Sequence, residues 1–389
     1  MRRIAIAPRA DWRAQAEQLG FHFHTIDGAT YWDESAYYAL TLEQVERDIE
    51  QPSQDLHDMA MALVDEVVGS EQLLDRLHIA PMYRDWITAS WHAREPHLYG
   101  RMDLAYDGTG PAKLYELNYD TPTSLYESAY FQWLWLEQQI ASGVLPKNAD
   151  QYNGIQEALV EAFATLARDG RIGARVHFAA VRESAEDQAT VLYLRDCANQ
   201  AGVETATVDV EDIGLSADGW FTDRDDTVIQ TLFKLYPLEF MMEEQFGPAL
   251  IEDTMQLLEP PWKAILSNKG VLPLLWERHR GHPNLLEAHF DDAPADAPAP
   301  GFVRKPLFSR EGANIEITTL EGRRIATEGP YGGGPAILQA FHSLTAFDGH
   351  YPLVGSWVIG DRAIGMGVRE DATLVTQDTS RFVPHAIID

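Results

Sequence analysis

The run RMDLAYDGTGPAKLYELN (residues 101–118) carries the residue types most able to do chemistry in this chain. Two short alternating stretches flank Asp107-Gly108-Thr109-Gly110-Pro111, which is a β-hairpin signal. With Gly108 to Pro111 as the loop, Asp107 lies opposite Ala112, Asp103 opposite Glu116 and Arg101 opposite Asn118. Alternation along each strand then puts Arg101, Asp103, Glu116 and Asn118 on one face. Met102, Leu104, Tyr115 and Leu117 cover the other. Two carboxylates directly opposite each other repel unless something compensates them. Two carboxylates and an amide are hard oxygen donors of the kind that suits Mg²⁺. A solvated face holding an Arg–Glu pair is the competing reading. On the metal reading, Glu116→Gln relieves repulsion and leaves the ligand-free fold at least as stable.

The next residues, YDTPTSLYE (119–127), put small hydroxyls beside a carboxylate. Ser124 and Glu127 have the spacing of a helix capping box, which leaves Thr121 and Thr123 available to a substrate. Further along, Lys305 ends a strand and Gly312 lies in the loop after it, where backbone N–H groups can approach a phosphate. Lys269 precedes a helix and could reach the same anion. Both lysines are expected to be exposed in an open cleft. Arg369 ends a strand, where it faces the cleft or pairs with Glu370 or Asp371. Residues 336–341 could offer backbone partners to a flat ring, or form plain core. The chain has no G-x-x-x-x-G-K-[ST], G-x-S-x-G or H-E-x-x-H motif, and its histidines show no metal-ligand spacing.

The elements that must position these residues read as α/β. Residues 40–78 have the period of amphipathic helices. Residues 125–141 form an aromatic helix with Trp133 and Trp135 in the core. Strand ARVHFAAV, a helix opened by Ser184-Ala-Glu-Asp187 and strand VETATVDV make a βαβ unit. No glycine-rich turn follows its first strand, so no dinucleotide fingerprint is present. Residues 291–300 read as a Pro/Ala/Asp linker, and the strands FVRKPLFS, ANIEITTL and SWVIGDRAIGMGVR follow. The segments are 1–149, helical and including the hairpin; 150–262, α/β; and 263–389. At 389 residues the chain is long enough for two to three domains. Sixty acidic against thirty basic residues give a net charge of −30, which repels phosphate backbones and excludes nucleic acid as a partner. The single cysteine, Cys197, excludes an internal disulfide and thiolate zinc sites. No apolar run approaches a membrane span or a signal-peptide core, so the expected setting is cytoplasmic, with no membrane partner.

With these residues in view, the chain resembles the glutathionylspermidine synthetase family of ATP-grasp carboxylate–amine ligases, most closely its short members without the amidase domain. The likeness spans essentially the whole length. It is carried by RMD, YELNYDTPTSLYE, KLYP-x-E, SNKG-x-LPLLWE, KP-x-x-SREGANI and GVRED. It implies an ATP-grasp fold with a pre-ATP-grasp-like α/β domain at 150–262, the grasp at 263–389, and N-terminal helices. It further implies that Asp103, Glu116 and Asn118 bind two Mg²⁺ ions and that Arg101 stabilises phosphoryl transfer. Arg101, Met102, Asp103, Lys269, Lys305, Gly312 and Gln339 would contact ATP, with Leu374 and Val375 near the nucleotide. Arg369 corresponds to the arginine of a closing loop. The implied reaction joins a small-molecule acid, glutathione or a related peptide, to an amine such as spermidine. Thr121 and Thr123 stand where the full synthetases have serines near glutathione, which puts glutathione itself in question. The alternatives are a phosphotransferase on the same scaffold and a nucleotide-binding regulatory protein without catalysis.

Overall fold

A computed structural model describes residues 1–26, 28–292, 299–376 and 380–388. Most of the Pro/Ala/Asp linker read at 291–300 lies outside the described residues. In chain order come strands β1 (Arg2–Ala5) and β2 (Ala36–Leu40), helices α1 (Gln51–Val68) and α2 (Pro81–His92), hairpin strands β3 (Tyr99–Ala105) and β4 (Lys113–Asn118), and α3 (Gln132–Ala141). Then follow α4 (Ile155–Arg168), β5 (Arg175–Ala180), α5 (Ala185–Gln200), β6 (Glu204–Asp209), β7 (Thr231–Leu235), α6 (Leu238–Glu243), β8 (Gln256–Leu258) and α7 (Val271–Arg278). The rest is strand: β9 (Ala288–Phe290), β10 (Phe302–Pro306), β11 (Glu316–Thr318), β12 (Arg324–Ala326), β13 (Ala336–Ala340), β14 (Tyr351–Ile359), β15 (Arg362–Asp371), β16 (Arg381–Val383) and β17 (His385–Ile387).

Apolar residues at helical spacing decide where α1 packs: Leu56, Ala60, Leu63, Val64 and Val67 are all buried on one face. Ser184 caps α5 as read, its side chain accepting from Asp187 N at 3.2 Å. The unit β5–α5–β6 is parallel and extends to a four-stranded parallel sheet in the order β8-β7-β5-β6. The aromatic helix differs from expectation. Its first turn, Glu127–Phe131, is π-helical; Trp135 is fully buried, but Trp133 faces outward at 45% exposure. Polar Gln132 takes an interior place instead, bonded to Met366 O at 2.8 Å.

Two five-stranded sheets flank the chemistry. One runs β16-β15-β14-β3-β4, so the hairpin shares a sheet with strands some 250 residues later in the chain; the other runs β9-β13-β10-β11-β12. A third, small sheet (β1-β2-β17) again joins sequence-distant strands, with β17 parallel to β2. Segments 1–149 and 263–389 are therefore interleaved in space. Buried polar clamps fix the start and exit of the hairpin. Glu259, paired with Lys263, accepts from Leu98 N (3.1 Å) and Tyr99 N (3.2 Å). Asp120, paired with Lys234 of β7, accepts from Leu238 N (2.8 Å) at the head of α6. Each buried charge thus has its partner close by, as low dielectric requires.

Candidate active site

The hairpin register holds where it matters: Arg101 lies opposite Asn118 and Asp103 opposite Glu116. Beyond them the pairing slips. Leu104 faces Leu114 and Ala105 faces Lys113, because Tyr115 bulges out of the ladder. The loop is therefore longer than Gly108–Pro111, and Leu114 takes the core place expected of Tyr115. Tyr115 instead lines a cavity of about 520 Å³, with its hydroxyl donating to His342 O.

That cavity is walled by both five-stranded sheets and by the first turn of α5. Arg101, Asp103, Glu116, Asn118, Thr121, Thr123, Lys269, Lys305, Gly312, Gln339, Arg369, Leu374 and Val375 all line it. Met102 does not. Strand alternation turns its side chain into the main hydrophobic core, fully buried, so only its backbone faces the right way.

Asp103 and Glu116 do not repel each other unopposed. Arg101 Nε donates to Asp103 Oδ1 at 2.7 Å and its Nη2 to Oδ2 at 3.2 Å, while Arg369 Nη2 reaches Oδ2 at 2.8 Å. Glu370, next along β15, points the opposite way, to Arg3 (2.9 Å), Arg381 (3.0 Å) and Tyr38 (2.7 Å). Glycine at 355, opposite Asp103, leaves room for Arg101: a Cβ there would sit 2.9 Å from Arg101 Cδ. Glu116, on the facing strand, has its Oε2 3.1 Å from Lys269 Nζ, which also donates to Ser309 O at 2.5 Å. Lys305 Nζ donates to Tyr115 O at 3.0 Å. Both lysines are buried, contrary to the exposed cleft positions expected of them. Burial alone would push the Glu116 carboxyl up, but Lys269 and Lys305 outweigh it and hold it well below the usual carboxylate range. Burial lowers the Lys305 ammonium to about 8, against the pull of Glu116.

Around this charged centre the remaining expected residues divide by chemistry. Val303, Ile315, Ile317 and Val375 form a small apolar cluster, Leu374 packs with Leu344 and Leu353, and Gln339 Nε2 donates to Leu114 O at 3.2 Å. Gly312 has φ +70°, and a Cβ on it would fall 2.7 Å from Thr376 O, so glycine lets its loop close on the 374–376 segment. Thr121 Oγ1 accepts from Arg310 Nη1 at 2.6 Å, and Arg310 is held in turn by Glu239 at 2.7 Å. The Thr123 carbonyl accepts from Arg101 Nη1 at 2.7 Å. Ser124 and Glu127 do not form the capping box their spacing suggests. Ser124 sits at φ +66°, and Glu127 turns away to accept from the Tyr31 hydroxyl at 2.6 Å.

Several lining groups escaped the sequence reading. The sequence marks Glu186 and Asp187 only as helix-opening residues, yet both face the cavity. Burial, then the neighbouring Glu127, raises the Glu186 carboxyl, and burial raises Asp187. Arg310 lay inside the SREGANI motif without a role. Tyr31 carries no local signal, because its partners are more than ninety residues away.

Over residues 3–388 the chain matches the family described as glutathionylspermidine synthase preATP-grasp. It belongs to the glutathionylspermidine synthase family. A Haemophilus influenzae protein provisionally named an acid–amine ligase is 38% identical over the full length of both chains. Trypanothione synthetase of Crithidia fasciculata is 30% identical over 84% of this chain, and the bifunctional glutathionylspermidine synthetase/amidase of Escherichia coli 24% over 90%. The chain spans 53% and 59% of the lengths of those two relatives. A glutathione synthetase-like effector from Globodera pallida aligns with a TM-score of 0.56 at 10% identity, covering 96% of each chain, which speaks to fold alone. The fold class and the family expected from the motifs are those found, and relatives named as ligases or synthetases agree with the expected carbon–nitrogen ligase class. No helix among the described residues is long and apolar enough to cross a membrane.

Proposed function

We propose that this family member is an ATP- and Mg²⁺-dependent acid–amine ligase that makes an amide through an acyl phosphate. The observation that carries the reading is the double polarity of one cavity. Lys269, Lys305, Arg101 and Arg369 converge on the hairpin side, and Glu186 with Asp187 lines the α5 wall. The first group suits phosphates and a carboxylate, the second an ammonium.

Among the described residues no cluster of three or more His, Cys, Asp or Glu is arranged for a metal. The donor set of Asp103, Glu116 and Asn118 nevertheless fits Mg²⁺: hard oxygens, face to face, already holding cationic groups. Bound there, Mg²⁺ supplies charge neutralisation on the phosphate oxygens of ATP. Lys269 and Lys305 hold those phosphates, and Arg101 meets the charge that grows during transfer. Leu374, Val375 and the apolar cluster receive the adenine, with Gln339 at its edge. Thr121, Thr123 and Arg310 orient the acid, with Arg369 closing over it. The acid's carboxylate oxygen attacks the γ-phosphorus and ADP leaves. The amine then attacks the acyl carbon and phosphate leaves. A peptide acid such as glutathione and a polyamine such as spermidine fit the two ends.

A screen of peptide acids and polyamines for ADP release tests this reading. Amine-dependent ADP release with an amide product is the expected result. A stable phosphorylated product that accumulates over many turnovers without any amine would make the protein a phosphotransferase instead.

A further inference from the structure

Amide formation has a proton problem that the roles assigned so far leave open. A polyamine enters as an ammonium, since alkyl amines keep their proton to about pH 10. It has no lone pair to attack with until that proton has gone. Lys269, Arg101 and Arg369 are engaged with carboxylates, Lys305 lies beside Glu116, and Asp103 and Glu116 face the phosphate end. The acceptor has to lie on the other side.

There, three groups from two sequence-distant segments form a continuous hydrogen-bonded line leading out of the cavity. Ser124 and Tyr31 both line the cavity. Ser124 Oγ lies 3.2 Å from the Tyr31 hydroxyl, and the Tyr31 hydroxyl donates to Glu127 Oε1 at 2.6 Å. Glu127 is fully buried, and its Oε2 has no hydrogen-bond partner among the described residues. The backbone is unusual at both ends: Ser124 has φ +66°, and Glu127 opens the π-helical turn. Left-handed non-glycine residues and π-turns persist where surrounding structure enforces them, and they cluster at functional sites.

We propose that Ser124, Tyr31 and Glu127 are the path by which the attacking amine loses its proton, with the Glu127 carboxylate as the final acceptor. The inference rests on the ligase reading above. The ammonium gives a proton to Ser124 Oγ as Ser124 passes its own to Tyr31 and Tyr31 passes its own to Glu127. The two hydroxyls end as they began, and Glu127 becomes the neutral acid. The freed nitrogen lone pair forms the C–N bond, the bond from carbon to the phosphate oxygen breaks, and the second nitrogen proton leaves with the phosphate. Burial first, opposed by Tyr31, Arg369 and Arg101, lifts the Glu127 carboxyl above the ordinary carboxylate range, which makes it a better proton acceptor. Burial, with Glu127 behind it, keeps Tyr31 protonated, so it relays a proton and does not store one. The charged groups facing this line are Arg101 on β3, Arg369 on β15, Glu186 and Asp187 on α5, and Glu311 beyond them.

A purely structural Tyr31–Glu127 bond, pinning the N-terminal segment to residues 124–127, is separated from a proton path by changing the nucleophile. Hydroxylamine is mostly unprotonated at neutral pH and needs no acceptor. For Tyr31→Phe, and for Glu127→Gln as a second variant, ADP release is measured with the acid identified in the screen, using spermidine and then hydroxylamine. The expected result is a spermidine-to-hydroxylamine turnover ratio about 100-fold below wild type, the usual scale of acid–base assistance. Parallel loss with both nucleophiles, or no change in the ratio, overturns the path. Wild-type protein that shows no amine-dependent ADP release overturns the ligase reading itself, and is distinct from either of those results.

Discussion

Glu116 and its two lysines show how far a single charge is tied to its surroundings. Facing carboxylates suggest a residue pair relieved by neutralisation, yet Lys269 lies 3.1 Å from Glu116 and Lys305 is buried beside it. Glu116→Gln is therefore expected to lower ligand-free stability by about 1–3 kcal/mol, because it leaves buried cations short of a partner. A rise in melting temperature for this variant would mean that carboxylate repulsion dominates after all. The sign with pH follows from the lowered Glu116 value. Its stabilisation is present above about 4.5, the ordinary value, and fades as pH falls below that. Thermal melts from pH 6 downward should show a shallower loss for the Gln variant than for wild type. Lys305 works at the other end of the scale. With its free-protein value near 8, it sheds charge in mildly alkaline buffer, so ATP affinity measured by calorimetry should weaken above that pH. Lys305→Ala should abolish that alkaline trend and weaken ATP binding by roughly 1.5–3 kcal/mol.

At the scale of elements, the loop after β10 depends on Gly312. Alanine there meets both a positive φ and the Thr376 carbonyl, so Gly312→Ala should cost about 1–2 kcal/mol and weaken nucleotide binding. Gly110, at φ +74° with nothing within 4 Å, separates the two effects: alanine there should be strained but leave binding alone. Equal losses of ATP affinity in both variants would remove the loop from the site. The hairpin pairing Asp103–Glu116 was legible in sequence because alternation and a turn signal act over a few residues. The bulge at Tyr115 was not, since its side chain is held by the carbonyl of His342, just past β13. The same holds for Ser124 and Glu127. Their local spacing matches a cap, and only Tyr31, brought in from the N-terminal segment, explains why they do otherwise. Trp133 and Trp135 looked alike as core aromatics, and the π-helical turn before α3, which offsets the residues that follow it, accompanies their opposite fates.

For the molecule as a whole, the charge of −30 is the property most open to solution tests. If the amine substrate is a polyamine, so acidic a protein should raise its capture rate at low salt. The kcat/KM for the amine is then expected to fall with ionic strength, and that for the acid to fall less. Equal salt sensitivity for a neutral amine would count against steering while leaving the chemistry untouched.

The sheet that joins β3 and β4 to β14, β15 and β16 has a consequence for how the protein is made. Residues 99–118 leave the ribosome long before residues 351–383, yet β3 and β14, the strands at which the two segments join, lack each other until both have been made. Arg101 waits for Gly355, and Asp103 for Arg369. Pairings across such separations form slowly, because a long loop must close before any contact repays it. During synthesis Asp103 stands without Arg369 and Glu116 without Lys269, and one edge of β3 has no strand beside it. A nascent chain in this condition is a natural client for chaperones, and the cavity between the two five-stranded sheets can close up only near the end of translation.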